Sequence, residues 1–507
     1  MANKYFVKSK DLINKIIDKV RRANSFVDNY KKVGKIPSMP TNAFINMASS
    51  MYSMGRLQEA EDLLRSAVCF PSKSSNALLN LGIIKQSTGD YSQAIKYYLA
   101  AYKKDKNNSK SFVLWGNCLA IMGNLEGAAK KYEKALDINP EDAEAYLSWG
   151  ALLIKQKQYR NAKEKLQESM KYNKKDLRPM YMIGIVDIEL GDYVSALACL
   201  KYVISCTENN HEALHNIAYI YFKTEKYDEA ISYAKKSLTI FQYKIETYLL
   251  LGDIYAMKNK EKESLSFYKM AEMNGLKTFY LYLSWATSLQ KFNHHNEAIE
   301  KLEKANELLH GKDSDEIYAR LAFSLYKIGD SEKSLENITK SLEFNPNNHL
   351  ANFLWAKLEM DNRNYEHAME LLIRCEKDYE TKGKNFMFQA ICYLELGNVE
   401  KSAKSFEKAL EYSNDSEDIA LEYMKFLIKK ESYELANTKF KQLMKTTKNK
   451  DLLNNYFIIT YNLAKQNSYK YNVEKALEVI KKIEDLGYKH LYSDEKSELE
   501  GLLRDYE

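Results

Sequence analysis

The chain has 507 residues, a formal net charge of +6, and only 6 prolines and 18 glycines. So few turn-forming residues disfavour a large β or α/β protein and favour a helical one. The small positive charge gives no indication of nucleic-acid binding, and 45% hydrophobic residues with 28% charged residues are typical of a folded chain rather than a disordered one.

The first 40 residues contain one amphipathic segment with apolar residues at helical spacing: Leu12, Ile13, Ile16, Ile17, Val20 and Phe26. We expect residues 1–40 to form capping helices that cover the end of the structure that follows them. The alternative is that this basic amphipathic helix touches a membrane surface. The start has no apolar run typical of a secretory signal, and no stretch of the chain is apolar enough to span a membrane. We therefore expect a cytoplasmic protein.

From Thr41 onwards the sequence repeats every 34 residues. A ladder of small residues advances by this step from Ala48 to Ala286, and a second ladder follows twelve residues behind it, beginning at Ala60. The step lengthens by two residues between Ala286 and Ala322 and then returns to its former length. This period predicts repeats that begin at Thr41, Ser75, Ser109, Ala143, Leu177, His211, Ile245, Phe279, Asp315, His349, Gly383 and Glu417.

Each repeat has the pattern of two amphipathic helices joined by a polar turn. Glycine inside a helix costs about 1 kcal/mol relative to alanine, so its recurrence in the first ladder predicts a close crossing of the two helices. A thirteenth repeat begins near Asp451 and carries an insertion at Asn467 to Asn472. The tail, residues 491–507, is predicted to form a C-terminal capping helix.

The third repeat carries the residues that identify a family: Gly116, Ala128, Tyr132, Ala135 and Pro140. In these positions the chain resembles the tetratricopeptide repeat family, and the resemblance extends from Thr41 to about Asp485. It implies an all-α fold, a right-handed superhelical solenoid of about 12 to 13 tandem helix-turn-helix units with capping helices at both ends. Repeats 1–8 would occupy residues 41–314, and repeats 9–13 would occupy residues 315–490.

Residues 211–215 read HEALH, which has the H-E-x-x-H spacing of zinc hydrolases. A catalytic zinc also needs a third protein ligand, and Ala218 and Tyr221 stand where the extended form of the motif has Gly and His. The favoured interpretation is an exposed pair, His211 and His215, on the first helix of the sixth repeat, with no bound metal. A zinc-dependent hydrolase that uses His211, Glu212 and His215 is the less favoured alternative.

The resemblance also implies that the first helices line a concave groove that binds extended peptides. By register, the residues expected to face this groove are Asn46, Asn80, Asn117, Arg178, Tyr181, His215, Tyr219, Phe222, Asp253, Phe323, Tyr326 and Phe353. Carboxamides can bond a peptide backbone of any sequence, and aromatic rings supply contact area. Each aromatic residue could equally well pack between repeats.

These patterns predict a non-catalytic scaffold or adaptor that binds an extended peptide or a segment of a partner protein in the groove. We expect no catalytic residues, no metal and no cofactor, because no phosphate-binding loop, nucleophile elbow or attached catalytic domain accompanies the repeats. The expected partner is a protein or peptide and not a nucleic acid. Self-association through the end helices or through aromatic residues on the convex face is the alternative function.

Overall fold

The structure is a computed structural model that describes residues 41–68, 74–207, 209–309, 314–375, 382–413, 417–467, 469–488 and 491–504. Among these residues there are helices and turns but no strand. The predicted N-terminal capping helices, residues 1–40, lie outside the described residues. The chain divides into two compact units, one ending at Leu250 (unit 1) and the other beginning at Leu251 (unit 2).

In unit 1 the described residues form six pairs, in which a first helix is followed after a short turn by a second helix. The pairs are α1 (Thr41–Ser53) and α2 (Leu57–Val68), α3 (Ser74–Ser87) and α4 (Tyr91–Lys104), α5 (Ser109–Ile121) and α6 (Leu125–Ile138), α7 (Ala143–Lys155) and α8 (Tyr159–Tyr172), α9 (Arg178–Glu189) and α10 (Tyr193–Cys206), and α11 (His211–Lys223) and α12 (Tyr227–Ile240). The boundary between the units falls within the next first helix, α13 (Ile245–Met257).

Unit 2 continues the same alternation. Its helices are α14 (Glu261–Met273), α15 (Phe279–Lys291), α16 (His295–Glu307), α17 (Asp315–Lys327), α18 (Ser331–Phe344), α19 (His349–Asp361), α20 (Tyr365–Arg374), α21 (Lys382–Glu395), α22 (Val399–Glu411), α23 (Glu417–Lys429), α24 (Tyr433–Phe440), α25 (Leu443–Thr446), α26 (Lys450–Asn467), α27 (Lys470–Asp485) and α28 (Ser493–Arg504). The all-α helical-repeat fold is therefore confirmed.

The twelve first helices from α1 to α23 begin within one residue of the repeat starts that the sequence predicts. Within the described residues, the largest departures from this pattern lie in the last part of the chain. The second helix of the twelfth pair is broken into α24 and α25, and the two helices that follow, α26 and α27, are lengthened to 18 and 16 residues. The predicted insertion thus falls at the end of α26 and the start of α27. In the tail, Leu499 of α28 is fully buried.

The first ladder of small residues lies where the two helices of a pair cross. A Cβ added to Gly150 would lie 2.7 Å from Cδ2 of Leu166, and one added to Gly82 would lie 2.3 Å from Cε1 of Tyr98. Leu166 and Tyr98 are fully buried. Glycine in this ladder therefore makes room for a large core side chain from the second helix of the same pair.

The second ladder contains serine instead of alanine in three repeats of unit 2. The hydroxyls of Ser264, Ser334 and Ser402 each donate a hydrogen bond of 2.8–2.9 Å to the carbonyl oxygen twelve residues earlier, which belongs to the first ladder. The two ladders are thus in contact, and a buried hydroxyl is tolerated in the second because this bond satisfies it.

The turn inside each of the twelve pairs contains one residue with a positive φ, between 53° and 88°. In half of the turns that residue is glycine, and in the other half it is Lys157, Glu225, Asn259, Asn293, Arg363 or Glu431. A side chain in this left-handed conformation is strained, most of all when it is neither Asn nor Asp. The turn geometry is therefore kept even where the sequence does not favour it.

Candidate functional site

The first helices of neighbouring pairs contact one another within each unit. In unit 1 these contacts join α1, α3, α5, α7, α9 and α11, and in unit 2 they join α15, α17 and α19, and α21 with α23. We call the surface formed by the side chains of these helices that point away from the second helices the first-helix face of each unit. The residues predicted to line the groove belong to first helices.

In unit 1 a pocket lies between three consecutive first helices, α3, α5 and α7. It is lined by Gln86, Asn117, Ala120, Ile121, Tyr132, Ser148, Ala151, Leu152 and Lys155, and we call it the amide pocket. Four of these residues are apolar, and the polar groups of the other five are two carboxamides, two hydroxyls and one ammonium group.

Buried tyrosines from the second helices hold the two carboxamides of the amide pocket. The hydroxyl of Tyr98 donates to Oε1 of Gln86 at 2.8 Å, and the hydroxyl of Tyr132 donates to Oδ1 of Asn117 at 2.7 Å. Burial raises the pKa of both phenols, so they stay protonated and act as donors. The side-chain oxygens of Gln86 and Asn117 already accept these hydrogen bonds. Their amide nitrogens are therefore the groups that remain to donate to a ligand.

A second, smaller pocket lies between α1 and α3. It is lined by Ala48, Ser49, Tyr52, Leu64, Asn80, Ile83 and Ile84. The predicted groove residue Asn80 contributes to it, whereas Asn46 is exposed on α1. This pocket is mainly apolar and can accept an aliphatic side chain.

Farther along unit 1, two predicted groove residues are bonded to neighbouring repeats. Nη2 of Arg178 lies 2.6 Å from Oε2 of Glu144 and 2.8 Å from Oδ2 of Asp176. These hydrogen bonds raise the pKa of Arg178 and lower that of Asp176. The Tyr181 hydroxyl donates to Glu212 at 3.2 Å, and burial raises the pKa of Tyr181 to about 12. These side chains join repeats to one another and are only partly available to a ligand.

The structure corrects the interpretation of the histidine pair as exposed. Nδ1 of His215 lies 2.9 Å from Oγ1 of Thr247 in the next repeat, and His215 is only partly exposed. Burial lowers the pKa of His215 to about 4, so its ring is neutral at neutral pH. The ring of His211 packs on Phe241, with 4.8 Å between centroids.

The geometry lends no support to the zinc alternative. Glu212, the residue that would act as a base, accepts the hydrogen bond from Tyr181. No group of three His, Cys, Asp or Glu side chains in the described part of the chain is placed to hold a metal ion. A third ligand for His211 and His215 is thus missing from the residues that the structure describes.

Three other predicted groove residues are partly buried. Nζ of Lys223 lies 5.5 Å from the ring centroid of Tyr219, and the ring of Phe222 lies 6.3 Å from that of Tyr227. In unit 2 the carboxylate of Asp253 accepts the hydroxyl of Tyr268 at 2.6 Å. Asp253 therefore holds a core tyrosine in the same way as Asn117 does.

The remaining predicted residues come together in unit 2 around a lysine. Nζ of Lys357 lies 5.4 Å from the ring centroid of Tyr326, 5.8 Å from that of Phe353 and 5.0 Å from that of Phe388. We call these four residues the lysine cage. Phe323 lies beside the cage, and Nζ of Lys327 is 5.7 Å from the centroid of its ring.

Sequence reasoning missed Phe388 in the cage and Gln86 and Lys155 in the amide pocket. For Phe388 the signal was present: it stands two residues before the ladder residue Ala390, which is the position of Asn46 and Asn80 in their repeats. The signal was also present for Gln86, which stands four residues after Gly82, the position that Phe222 and Tyr326 occupy in their repeats. For Lys155 there was no such signal, because it lies one residue farther along its repeat, at the end of α7.

A two-helix unit that recurs every 34 residues, with small residues at the crossing, defines a helical-repeat protein. Family models described as tetratricopeptide or TPR repeats match residues 75–108, 116–157, 210–272, 315–348 and 385–416. The chain therefore contains tetratricopeptide repeats. None of the curated proteins matches the sequence. No helix in the described ranges is long and apolar enough to cross a membrane.

Several solved structures are similar to the chain. The Cut9–Hcn1 hetero-tetramer of the APC/C is 12% identical, and the match covers 87% of this chain and 96% of that one with a TM-score of 0.44. A tetratricopeptide repeat protein from Parabacteroides merdae is 23% identical, with coverage of 49% and 98% and a TM-score of 0.38. YrrB, described as a TPR protein with an unusual peptide-binding site, is 22% identical, with coverage of 36% and 95% and a TM-score of 0.32.

Proposed function

We propose that this protein is a non-catalytic scaffold or adaptor that binds an extended segment of a partner protein on its first-helix faces. The tetratricopeptide repeat fold supports a protein-interaction scaffold in general. The observation that carries the finer proposal is the amide pocket of unit 1, where side chains from three consecutive repeats surround one cavity.

The amide pocket has the chemistry for gripping a peptide backbone. An extended peptide presents a carbonyl oxygen at every residue, and each of these needs a donor when it leaves water. The amide nitrogens of Gln86 and Asn117 and the ammonium group of Lys155 are such donors, and Ile121 and Leu152 provide an apolar wall for a side chain. Recognition of this kind depends little on the peptide's sequence.

The other predicted groove residues take two roles in this proposal. Tyr219 and Phe222 in unit 1, and Phe323, Tyr326 and Phe353 in unit 2, offer aromatic surface to the partner. Arg178, Tyr181, His215 and Asp253 instead hold neighbouring helices in position, because each is bonded to another repeat or to the core. Asn46, Asn80 and Asn117 supply amide groups to the peptide.

We place the protein in the cytoplasm. Within the described ranges, Cys118, Cys199, Cys206 and Cys392 form no disulfide bond. A reducing compartment keeps thiols in this state. The proposed partner is a protein segment and not a nucleic acid, because the net charge is small for a chain of this length.

The test is selection of binding peptides from a random library of extended peptides of about twelve residues displayed on phage, followed by fluorescence anisotropy with the selected peptides. In the variant Ala151→Trp, an indole fills the amide pocket without removing an internal hydrogen bond. We expect Ala151→Trp to weaken binding at least tenfold. The matched control Lys134→Trp, at an exposed position on the second helix α6, should bind as the wild type does.

Two results would contradict the proposal: recovery of no binding peptide, or equal binding by the wild type and Ala151→Trp. Light scattering on the same samples tests the self-association alternative. A mass that is independent of concentration in the absence of peptide is expected, whereas a mass that rises with concentration would favour self-association.

A further inference from the structure

The lysine cage of unit 2 encloses a cation that belongs to the protein itself. Its rings come from three consecutive first helices, α17, α19 and α21, and Phe353 and Phe388 meet edge to face with 5.4 Å between their centroids. Lys357 is held in the middle with its ammonium group over all three rings. Attraction between a cation and aromatic faces fixes the position of that charge but does not neutralise it.

Two further lysines reinforce the positive charge at the cage. Lys327 on α17 extends over Phe323, and Lys384 on α21 is exposed. Among the described residues no carboxylate forms an ion pair with Lys327, Lys357 or Lys384. The acidic residue that acts on Lys357, Asp361, accepts a hydrogen bond from the Tyr326 hydroxyl at 3.2 Å.

Burial lowers the pKa of Lys357, and repulsion from Lys327 and Lys384 lowers it further, while Asp361 opposes the shift. Lys357 is thus a partly desolvated cation whose charge is only incompletely balanced by the described residues. A carboxylate that approached it would form a charge-assisted hydrogen bond next to apolar rings, where electrostatic attraction is screened less than in water.

We propose that this surface binds an acidic segment of a partner protein, an extended peptide with several Asp or Glu side chains, and that Lys357 is its central anchor. The inference rests on the proposed function, because it names the chemistry of the segment that one first-helix face would bind. Lys327, Lys357 and Lys384 lie on three successive first helices. Neighbouring helices are separated by about 10 Å and an extended peptide advances about 3.3 Å per residue. The carboxylates of the peptide should therefore be spaced about three or four residues apart.

A single-stranded nucleic acid is the other polyanion that aromatic rings and lysines can bind. It needs ring faces on which its bases can stack. Here Lys357 covers one face of each ring of the cage, and Phe353 and Phe388 pack against one another. The geometry therefore favours a carboxylate that reaches Lys357 over a base that stacks on the rings.

The test is fluorescence anisotropy with two labelled twelve-residue peptides, one with Glu at every third position and one with Gln at the same positions. We expect the Glu peptide to bind the full-length protein at least tenfold more tightly than the Gln peptide, and to lose affinity as salt is raised. Lys357→Met, which keeps the length and apolar stem of the side chain, should abolish the preference. Lys384→Met should reduce the preference for the Glu peptide by about threefold, because Lys384 lies at the exposed edge and a charge at the rim of an interface contributes less than a central one.

The matched control is Lys333→Met on the second helix α18, where the lysine is exposed and paired with Asp330. It should bind the Glu peptide as the wild type does. The melting temperature of each variant shows whether a loss of binding reflects a loss of folding, and retention of the Gln-peptide affinity by Lys357→Met serves the same purpose.

Three outcomes would overturn the inference: equal affinity for the two peptides, a preference that survives Lys357→Met, or displacement of the Glu peptide by a single-stranded oligonucleotide at a lower concentration than by unlabelled Glu peptide. Equal affinity for both peptides would leave the proposed function intact and remove only the acidic partner. Failure of both peptides, together with recovery of no peptide from the random library, would remove both proposals.

Discussion

The ring of Tyr132 lies directly beneath Gly116, so that a Cβ added to the glycine would lie 2.5 Å from Cε1 of the ring. The hydroxyl of the same tyrosine continues to the first-helix face, where it donates to Oδ1 of Asn117 at 2.7 Å. One buried side chain therefore connects the close crossing of α5 and α6 with the orientation of an amide in the proposed binding pocket. The packing of Tyr132 against Gly116 and the proposed recognition of a peptide by Asn117 therefore depend on the same side chain.

Replacing Gly116 with alanine should destabilise the protein. Tyr132 is buried and bonded to Asn117, so it cannot move aside without loss, and overpacking of this kind costs about 1–3 kcal/mol. The control is Gly501→Ala in the exposed part of α28, where an added Cβ meets no atom within 4 Å and helix propensity predicts a gain of up to about 1 kcal/mol. Urea denaturation measures both variants, and equal midpoints would contradict the packing account.

Tyr132→Phe should weaken peptide binding more than it weakens the fold. The variant keeps the ring but removes the donor that fixes the Asn117 amide. We expect a loss of stability of about 1 kcal/mol and a severalfold loss of affinity for peptides selected on the wild type. Calorimetry and anisotropy measure the two effects. Unchanged affinity in the variant would show that the orientation of Asn117 does not matter for binding.

Loss of the ion pair between Lys163 of α8 and the fully buried Asp187 of α9 should destabilise unit 1 strongly. Nζ of Lys163 lies 2.5 Å from Oδ1 of Asp187, whereas Oδ2 has no hydrogen-bond partner within the described structure. Lys163→Met leaves a buried carboxylate unpaired and should cost about 3 kcal/mol. The double variant Lys163→Met, Asp187→Leu should recover most of this loss in thermal denaturation. A double variant no more stable than the single one would refute the explanation.

Glu225→Gly should stabilise the sixth repeat. Glu225 has a φ of +59° in the turn between α11 and α12, where other repeats have glycine. Relief of this strain is worth about 1 kcal/mol, less a smaller entropic penalty for glycine in the unfolded chain. The comparison is Glu229→Gly in the first turn of α12, which should instead destabilise the protein. Chemical denaturation distinguishes the two, and a loss of stability in both variants would contradict the turn analysis.

Stability should fall as the pH is lowered from about 6.5 to about 4, and His215 should contribute to the fall. Its folded pKa of about 4 lies below the usual value of 6.5 for an exposed histidine, so in this window the unfolded chain binds more protons than the folded one. The difference between the two pKa values corresponds to about 3 kcal/mol in the free energy of unfolding. This stability is fully present above pH 6.5 and lost below pH 4. Urea midpoints at several pH values should show a weaker dependence in His215→Asn. An identical dependence in both proteins would show that His215 is not buried as described.

The regular part of the fold could be predicted from the sequence because every repeat has the same geometry and adds evidence for it. Gly82, Gly116 and Gly150 mark the same crossing, so the period fixes the helices to within about one residue. Where the repetition weakens, the prediction weakens too. The break between α24 and α25 has no counterpart among the other described helix pairs. The left-handed turn at Glu225 is imposed by the two helices that it joins, because its own residue type does not favour a positive φ.

The candidate site was less predictable because the period places a residue on a helix face without showing what the neighbouring repeat places against it. His215 was expected to be exposed, but Thr247 approaches it from the next repeat. The period places Arg178 on a first helix, and it does not show that Glu144 of the preceding repeat binds its guanidinium group. The cage around Lys357 depends on rings from three repeats, and their convergence on one ammonium group is not visible in any single repeat.

If a partner segment binds on the first-helix face, site-specific photo-crosslinking in living cells should detect the contact there. A photoreactive residue would replace Ser148 in the amide pocket in one variant, and exposed Lys134 on the second helix α6 in the other. We expect the residue at position 148 to yield a cross-link to a defined segment of a partner protein and the residue at position 134 to yield none. Cross-links from Lys134 to a partner, with none from Ser148, would contradict the claim and assign binding to the opposite face.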